Sequence, residues 1–160
     1  MAKLRVFLAD DHAVVREGLK ALVNAHPAMA VVGEAADGLT ACAQVALLAP
    51  DVVVMDVSMP GLSGSQATAR LRLECPAVRV LALTVHEDKG YLRQLLAAGA
   101  AGYVLKRAAP EELIQAIRAV AAGGVYIDPT MAGKVLGGFV RQAAADGAGA
   151  ELSEREAEVA

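Results

Sequence analysis

Tryptophan is absent from the 160-residue chain, which has only three tyrosines, two phenylalanines and two cysteines. No apolar run reaches the ~18 residues of a transmembrane helix, so we expect no membrane segment. The first residues reach Asp10 and Asp11 too soon for a secretory signal peptide. Cys42 and Cys75 have neither CxxC nor metal-type spacing, which is typical of reduced thiols. Together these absences predict a cytoplasmic protein without a disulfide framework.

The net charge of −3 at pH 7 comes from the end of the chain. Residues 143–160 carry five acidic side chains and one arginine, a net charge of −4, which leaves +1 for residues 1–142. Mild acidity argues against nucleic-acid binding at first sight, but it belongs to the tail alone. The hydrophobic content of 56% excludes wholesale disorder, and the length is sufficient to bury a core.

Short apolar runs alternate with amphipathic stretches of helical length in the first 122 residues. The runs are rich in β-branched residues and mostly lack polar alternation, which indicates strands buried on both faces of a parallel sheet. They are Leu4–Ala9, Ala30–Val32, Val52–Met55, Val78–Leu83 and Gly102–Leu105. Gly99 and Gly123 are placed to end two helices, and Pro110 is placed to begin one. Five βα repeats predict an α/β fold with a doubly wound parallel sheet.

Polar side chains cluster where the predicted strands end. Asp10 and Asp11 end the first strand, and Asp56 ends the third. Thr84 follows the fourth strand, and Lys106 ends the fifth. Ligands of such sheets bind outside the carboxyl ends of the strands. Two carboxylates ~4 Å apart repel by about 4 kcal/mol at an effective dielectric of ~20, so three acids at one edge indicate a cation, and their oxygens favour Mg²⁺.

Asp56 is the candidate nucleophile of this edge. A carboxylate beside a metal can attack a phosphoryl group and form an aspartyl-phosphate. Mg²⁺, the Lys106 ammonium and the Thr84 hydroxyl would then each contact one equatorial oxygen of that group. As an alternative, Asp10 and Asp11 only cap the following helix, where acidic residues also stabilise the N-terminus.

The loop after Asp56 contains Pro60-Gly61, by itself an ordinary β-to-α turn, and Gly64, which permits close backbone approach. With the strand-end motifs, this loop resembles the receiver domain of two-component response regulators over residues 3 to about 122. The motifs are Asp10-Asp11-His12, Met55-Asp56 with Met59-Pro60-Gly61, Leu83-Thr84 and Gly102-Tyr103-Val104-Leu105-Lys106. The resemblance implies a flavodoxin-like fold with strand order 2-1-3-4-5.

The same resemblance implies a role for each site residue. Asp56 would be the phosphoacceptor and would take the phosphoryl group from the phosphohistidine of a sensor histidine kinase. Asp11 would bind Mg²⁺ directly, and Asp10 would act partly through water. The main-chain carbonyl of Ser58 would be the third protein ligand of the metal.

A conformational switch is also implied by the resemblance. Thr84 would move towards the phosphate, and Tyr103 would rotate inward to fill the vacated space. The surface of the fourth helix, fifth strand and fifth helix would then change partners. Ser58 and His86 would flank the line of water attack, and Val85, bulkier than the alanine of many receivers, would restrict small phosphodonors.

The other metal-binding and nucleophilic residue types give weaker signals. His12, His26 and His86 are not spaced four apart, and no cysteine has compatible spacing. A transition-metal site at His12 beside the Asp pair is an alternative, but we expect all three histidines to be solvated or helix-terminal. Cys42 and Cys75 are expected to be small buried hydrophobes.

The chain is predicted to contain a receiver domain (1–122), a linker (123–150) and the start of a further domain (151–160). Asp128 and Pro129 favour a helix over about 129–141 inside the linker. The following stretch, AAADGAGA, has a flexible composition.

The last residues have a helix-start pattern, because Ser153 and Glu156 form a capping box. Leu152–Val159 resembles the beginning of the LuxR-type helix-turn-helix domain of the NarL/FixJ subfamily. The recognition helix of that motif is not among these residues, so we expect no specific DNA binding by the 160-residue chain.

Three functions compete at this stage. The favoured one is a phosphorylation-controlled receiver of a transcriptional regulator, which is not an enzyme although it supports its own phosphorylation and slow dephosphorylation. Its partners would be a sensor histidine kinase, a second copy on phosphorylation, and DNA through a C-terminal domain. A Mg²⁺-dependent aspartyl-phosphate phosphatase is the second, although haloacid dehalogenase-like hydrolases have their second aspartate two residues after the nucleophile, whereas Asp10 is followed by Asp11 and His12. A stand-alone receiver that acts by protein–protein interaction is the third.

Overall fold

The computed structural model describes residues 3–85, 89–108, 110–129 and 131. Strands and helices alternate through this part of the chain, as the five predicted βα repeats require. In chain order they are β1 (Leu4–Ala9), α1 (Ala13–Ala25), β2 (Met29–Ala35), α2 (Gly38–Leu48), β3 (Val52–Asp56), α3 (Gly64–Glu74), β4 (Arg79–Thr84), α4 (Lys89–Ala98), β5 (Gly102–Leu105), α5 (Pro110–Ala121) and β6 (Tyr126–Ile127).

The strands form one parallel sheet in the order β2-β1-β3-β4-β5-β6. The first five strands have the predicted flavodoxin-like order, so the fold class is confirmed. The chain leaves β1 towards β2 on one side and returns to β3 on the other, so β1 and β3 are neighbours. Their carboxyl ends therefore form the topological switch point at which ligands bind in open α/β sheets.

The sheet is buried on both faces because each strand contributes alternate side chains to two separate cores. One core joins Val6, Leu8, Val54 and Leu83 to apolar residues of α1 and α5. The other core joins strand residues of opposite parity to α2 and α3: Phe7, Ala9, Val53 and Met55 pack with Ala41, Val45, Ala67 and Leu71. This two-sided burial explains why the strands appear as nearly continuous apolar runs in the sequence.

Helix ends follow the local chemistry of the sequence. The backbone φ of Gly99 is +107° and that of Gly123 is +96°, so both predicted helix-ending glycines have the left-handed conformation. Pro110 begins α5, and Glu111 and Glu112 lie in its first turn, where they favour the positive end of the helix dipole. Ser63 caps α3 with a complete capping box to Gln66.

Two strands differ from the sequence-based prediction by more than a one-residue shift of an end. The second was predicted over Ala30–Val32, but β2 extends to Ala35 because Gly33 and Glu34 continue it beyond the apolar run. A Cβ atom on Gly33 would lie 2.9 Å from the Phe7 ring, so the missing side chain makes room for that ring. The two-residue β6 pairs with β5 and was not predicted, since two residues are too short for a periodic signal.

The chain divides into two compact units, Met1–Ile127 and Asp128–Ala160. In the second unit only residues 128, 129 and 131 are described. Pro129 and Met131 are helical, as the prediction of a helix over about 129–141 requires, and the rest of that helix and the predicted start of a further domain lie outside the described residues. None of the described helices is both long and apolar enough to span a membrane.

Candidate functional site

The candidate site lies at the carboxyl edge of the sheet, where four neighbouring strands end in register. Asp56 is the last residue of β3, and Thr84 is the last residue of β4. The Val57 N–H donates to the Leu83 carbonyl at 3.1 Å, and the Lys106 N–H donates to the Thr84 carbonyl at 2.7 Å. These bonds extend the sheet pairing by one residue and carry Asp56 and Lys106 to the same edge as the end of β1.

Three carboxylates and one imidazole meet at this edge. One ligand atom from each of Asp10, Asp11, His12 and Asp56 lies within 4.8 Å of the other three. Asp10 and Asp56 are buried, with 1% and 2% of their surface exposed, whereas Asp11 and His12 face solvent. The structure therefore brings together the three acids predicted from the sequence, with His12 beside them. His12 is also solvated and helix-terminal, as expected, because it is the N-cap residue of α1 and 61% of its side chain is exposed.

Asp10 has one carboxylate oxygen that fits a cation. Its Oδ1 accepts a hydrogen bond from the His12 N–H at 2.8 Å, whereas its buried Oδ2 receives no hydrogen bond within the described residues. The Lys106 ammonium lies 3.2 Å from Oδ2 but outside hydrogen-bond geometry. A buried anionic oxygen without a donor is costly. A divalent cation among the three carboxylates would satisfy it, so this donor set fits a hard metal ion.

Capping of α1 does not explain the acidic pair. The residue at the N-cap position is His12, and its side chain makes no capping hydrogen bond. No acidic residue lies in the first turn of α1. The alternative in which Asp10 and Asp11 merely cap the helix is therefore wrong for this structure.

Lys106 supplies the positive charge of the site. Its Nζ donates to Asp56 Oδ2 at 3.1 Å and approaches Asp10 at 3.2 Å, and only 15% of its side chain is exposed. Burial lowers the pKa of this ammonium, but the hydrogen bond and charge of Asp56, together with the charge of Asp10, outweigh burial and raise the pKa above its usual value. Lys106 is therefore a fixed cation at neutral pH.

Asp56 is held at both carboxylate oxygens. Oδ1 accepts from the Ser58 N–H at 3.1 Å, and Oδ2 accepts from Lys106. Burial raises the pKa of Asp56, and the nearby charge of Asp10 raises it further, while the bonds from Ser58 and Lys106 lower it; the net direction is upward. Burial makes the carboxylate more basic and therefore more nucleophilic, while the two donors fix its orientation.

The loop between β3 and α3 is folded close to the Asp56 backbone. A Cβ atom on Gly64 would lie 2.6 Å from the Asp56 carbonyl oxygen and from the Val57 Cα, so only glycine fits there. The Gly64 N–H donates to the Val57 carbonyl at 3.1 Å. The φ of Gly61 is +74°, which a Pro-Gly turn requires. The close approach predicted for Gly64 is thus present.

Thr84 and Tyr103 lie on neighbouring strands beside the site. Thr84 pairs with Leu105, and Tyr103 pairs with Ala82. Thr84 is 1% exposed and Tyr103 is fully buried, so the tyrosine ring is inside the protein. Val85, next along the chain, is 64% exposed. His86 lies outside the described residues.

Arg16 is a site residue that sequence reasoning missed. Its guanidinium donates to the main-chain carbonyl of Asp10 at 2.5 Å and to Glu34 at 2.8 Å. Glu34 also accepts from Lys20 at 2.6 Å, and both cations lower the pKa of its carboxyl group. Arg16 therefore ties the end of β1 to β2. The sequence shows that Arg16 lies one helical turn after His12, but this spacing does not identify the groups that Arg16 contacts.

Residues 6–118 match the response regulator receiver domain family. The chain belongs to this family. The receiver is 41% identical over 162 residues to the oxygen regulatory protein NreC of Staphylococcus carnosus (strain TM300), an alignment that covers 98% of this chain and 75% of NreC. Among solved structures it is similar to a LuxR-family two-component response regulator from Aurantimonas sp. SI85-9A1, with 40% identity, a TM-score of 0.83, and coverage of 87% of this chain and 99% of the other.

The receiver is also similar to the signal receiver domain of a NarL response regulator from Mycobacterium tuberculosis, with 36% identity and a TM-score of 0.75, covering 77% of this chain and 99% of the other. These similarities confirm the assignment to the NarL/FixJ type. The chain is a response regulator of the NreC, NarL and LuxR kind, and its acidic pocket is compatible with a divalent metal.

Proposed function

We propose that this receiver accepts a phosphoryl group on Asp56 from the phosphohistidine of a sensor histidine kinase. The observation that carries the proposal is the setting of Asp56: buried, hydrogen bonded to Lys106 and Ser58, and surrounded by the other acids at the sheet edge. In the transfer, a carboxylate oxygen of Asp56 forms a bond to phosphorus. The bond from phosphorus to the histidine nitrogen breaks, and its electron pair stays with the imidazole.

Asp10, Asp11, Asp56 and the main-chain carbonyl of Ser58 would hold Mg²⁺ in this receiver. The bound ion would neutralise charge on the transferring phosphoryl group. The orphaned Oδ2 of Asp10 supports a cation at this position, and the all-oxygen donor set supports Mg²⁺. Asp11 is the exposed member of the three acids and is therefore the accessible direct ligand.

Lys106 and Thr84 complete the charge balance. The ammonium already contacts Asp56 and can follow a phosphoryl oxygen as a flexible point charge. The Thr84 hydroxyl, at the end of the neighbouring strand, would hydrogen-bond another oxygen. Movement of Thr84 towards the phosphate and adjustment of the buried Tyr103 would change the surface of α4, β5 and α5.

The receiver is proposed to be a phosphoacceptor that dephosphorylates slowly, not a turnover enzyme. The protein would act in the cytoplasm, and its output would be the control of transcription. Phosphorylation would promote a homodimer and control DNA binding through a C-terminal LuxR-type domain. The alignment to NreC supports this output, because it extends over 98% of the chain. The resemblance of Leu152–Val159 to the start of such a domain supports it as well.

The proposal is tested by incubating the 160-residue chain with a histidine kinase phosphodonor or a small acyl phosphate, with Mg²⁺ or with EDTA. We expect one phosphoryl group per chain, acquired only with Mg²⁺, and no labelling of Asp56→Asn. Asp51→Asn is the control, since Asp51 precedes β3 at the opposite end of that strand. Steady turnover of many phosphomonoesters per chain would instead indicate the phosphatase.

A further inference from the structure

We propose that His12 is a ligand of the metal in this pocket, so that the receiver prefers a first-row transition ion such as Mn²⁺ more strongly than an all-oxygen site would. The inference rests on the proposed function, because it concerns the same pocket. It adds a fourth side chain, a nitrogen donor, to the three carboxylates.

The position of the imidazole carries the inference. His12 Nδ1 lies 3.1 Å from Asp11 Oδ1, 3.3 Å from Asp10 Oδ1 and 4.0 Å from Asp56 Oδ2. In an octahedral site with bonds of about 2.1 Å, adjacent ligand atoms are separated by about 3.0 Å and opposite ones by about 4.2 Å. The separations from Asp11 Oδ1 and Asp56 Oδ2 therefore match one adjacent and one opposite ligand, and Asp10 would bind through Oδ2, which receives no hydrogen bond within the described residues.

A second observation concerns the other carboxylate oxygen of Asp10. Within the described residues, the buried Oδ2 receives no hydrogen bond and has the Lys106 ammonium 3.2 Å away as an ion-pair partner, whereas the His12 ring lies against Oδ1. Oδ2 of Asp10 therefore has lone pairs available to coordinate a metal ion. The ring itself is accessible, since 61% of the His12 side chain is exposed.

The backbone directs the imidazole to this place. His12 is the N-cap residue of α1 and has extended backbone angles, with φ −95° and ψ 107°. Its N–H is bound to Asp10 Oδ1 at 2.8 Å, which ties the residue to one of the acids. His12 and its two preceding acids thus form one three-residue metal-facing turn.

The donor type decides which ions gain from His12. Mg²⁺ is a hard cation that prefers oxygen and keeps several waters. Imidazole suits the transition metals, whose affinities rise from Mn²⁺ towards Cu²⁺. Loss of His12 should therefore weaken Mn²⁺ binding much more than Mg²⁺ binding.

The test uses the 160-residue chain with MnCl2 at about pH 8. Pulsed electron paramagnetic resonance of the bound Mn²⁺ should show ¹⁴N modulation from a coordinated imidazole, and ¹⁵N-histidine labelling should change it. His12→Asn should abolish the modulation and raise the Mn²⁺ dissociation constant about tenfold or more. The Mg²⁺ dissociation constant, measured by competition with Mn²⁺, should change by less than ~3-fold.

His26→Asn is the matched control, because His26 lies at the opposite end of α1 and should change neither measurement. Bound Mn²⁺ without ¹⁴N modulation in the wild type would overturn the role of His12 and leave the proposed function intact. Failure of the wild type to bind either ion, with Asp11→Asn behaving identically, would overturn the metal site and the proposed function together. The wild-type spectrum decides the question even if the variant folds poorly.

Discussion

At the scale of single residues, the site depends on a balance of charges that are unfavourable without a cation. Two buried acids and an exposed one meet a single ammonium, that of Lys106, among the side chains that the structure describes at this edge. Burial of Asp56 raises its pKa, which means that the folded protein binds the proton more tightly than the unfolded chain. The stability contributed by this proton is lost as pH rises through the raised pKa. The ionised carboxylate of Asp56 therefore makes the folded protein less stable at neutral pH than it would be with Asp56 protonated.

We expect Asp56→Asn to raise the unfolding temperature at pH 7 in EDTA, because it removes a buried charge and keeps the side-chain size. The difference from wild type should narrow as pH falls through the raised pKa of Asp56. Scanning calorimetry of wild type and Asp56→Asn between pH 4 and pH 8 measures the difference in unfolding temperature and its dependence on pH. A lower unfolding temperature for Asp56→Asn at pH 7 would contradict the reasoning.

Asp37→Asn gives the control with the opposite sign. Hydrogen bonds from the Thr40 N–H and hydroxyl lower the pKa of Asp37, so its carboxylate stabilises the folded state above its usual pKa. Replacing it should give no stabilisation at pH 7. Any wild-type advantage at this position should disappear as pH falls through the lowered pKa.

Residue roles that depend on three-dimensional proximity were the hardest to predict from sequence. Asp10, Asp11, Asp56 and Lys106 could be found because each ends a strand, and parallel strands end at one edge. The place of His12 in the pocket and the bond from Arg16 to the Asp10 carbonyl depend on the path of a few backbone atoms after β1. The sequence carries no periodic pattern from which the path of these few residues could be predicted.

At the scale of elements, the β3–α3 loop connects the strand that ends in Asp56 to the helix that covers it. Gly64 begins α3, and a Cβ atom at this position would lie 2.6 Å from backbone atoms of Asp56 and Val57. The capping box of Ser63 and Gln66 fixes the helix start next to it. Small changes in this loop are therefore transmitted to Asp56 through the backbone.

We expect Gly64→Ala to destabilise the receiver by about 1–3 kcal/mol, because the new methyl group meets backbone that must move. Urea unfolding followed by circular dichroism measures the loss, and the rate of Mg²⁺-dependent phosphorylation should fall with it.

Gly18→Ala is the matched control. Gly18 lies inside α1, and its new methyl group would meet nothing within 4 Å. This substitution should stabilise the protein by about 0.5–1 kcal/mol through helix propensity. If Gly64→Ala were equally harmless, the loop could not be as closely packed as described.

The same scale shows what the sequence pattern could establish. Apolar runs located the strands β1 and β3–β5 to within about a residue, because burial on both faces gives each strand an almost continuous series of apolar residues. Glycines located the ends of two helices. The end of β2 was missed because Glu34 is polar yet paired with Arg16 and Lys20. The short β6 owes its existence to pairing with β5 and not to its own composition.

At the scale of the whole molecule, charge and function are divided along the chain. Residues 1–142 have a net charge of +1 and residues 143–160 have −4. The overall acidity therefore reflects the tail and does not argue against a regulator that acts on DNA. The resemblance to a LuxR-type domain covers only Leu152–Val159 of these residues.

We therefore expect the 160-residue chain, phosphorylated or not, to show no sequence-specific DNA binding, because the resembled helix-turn-helix motif reads DNA through a later recognition helix that is not among these residues. Capture of duplexes from a random pool at about 0.15 M salt, followed by sequencing of the bound fraction, measures this, since weak contacts to phosphates are screened there. Selective enrichment of one sequence by this chain would show that the output is misassigned.

In the proposed function, transfer of a phosphoryl group to Asp56 is the step on which switching, dimerisation and output would all depend. The most direct measurement is to phosphorylate the chain with Mg²⁺, reduce the acyl phosphate with borohydride, and locate the product by peptide mass spectrometry. Reduction of an aspartyl-phosphate gives homoserine, so we predict homoserine at position 56 and aspartate at positions 10 and 11. Homoserine at position 10 or 11, or a phosphoryl group retained on a histidine, would contradict the assignment of Asp56.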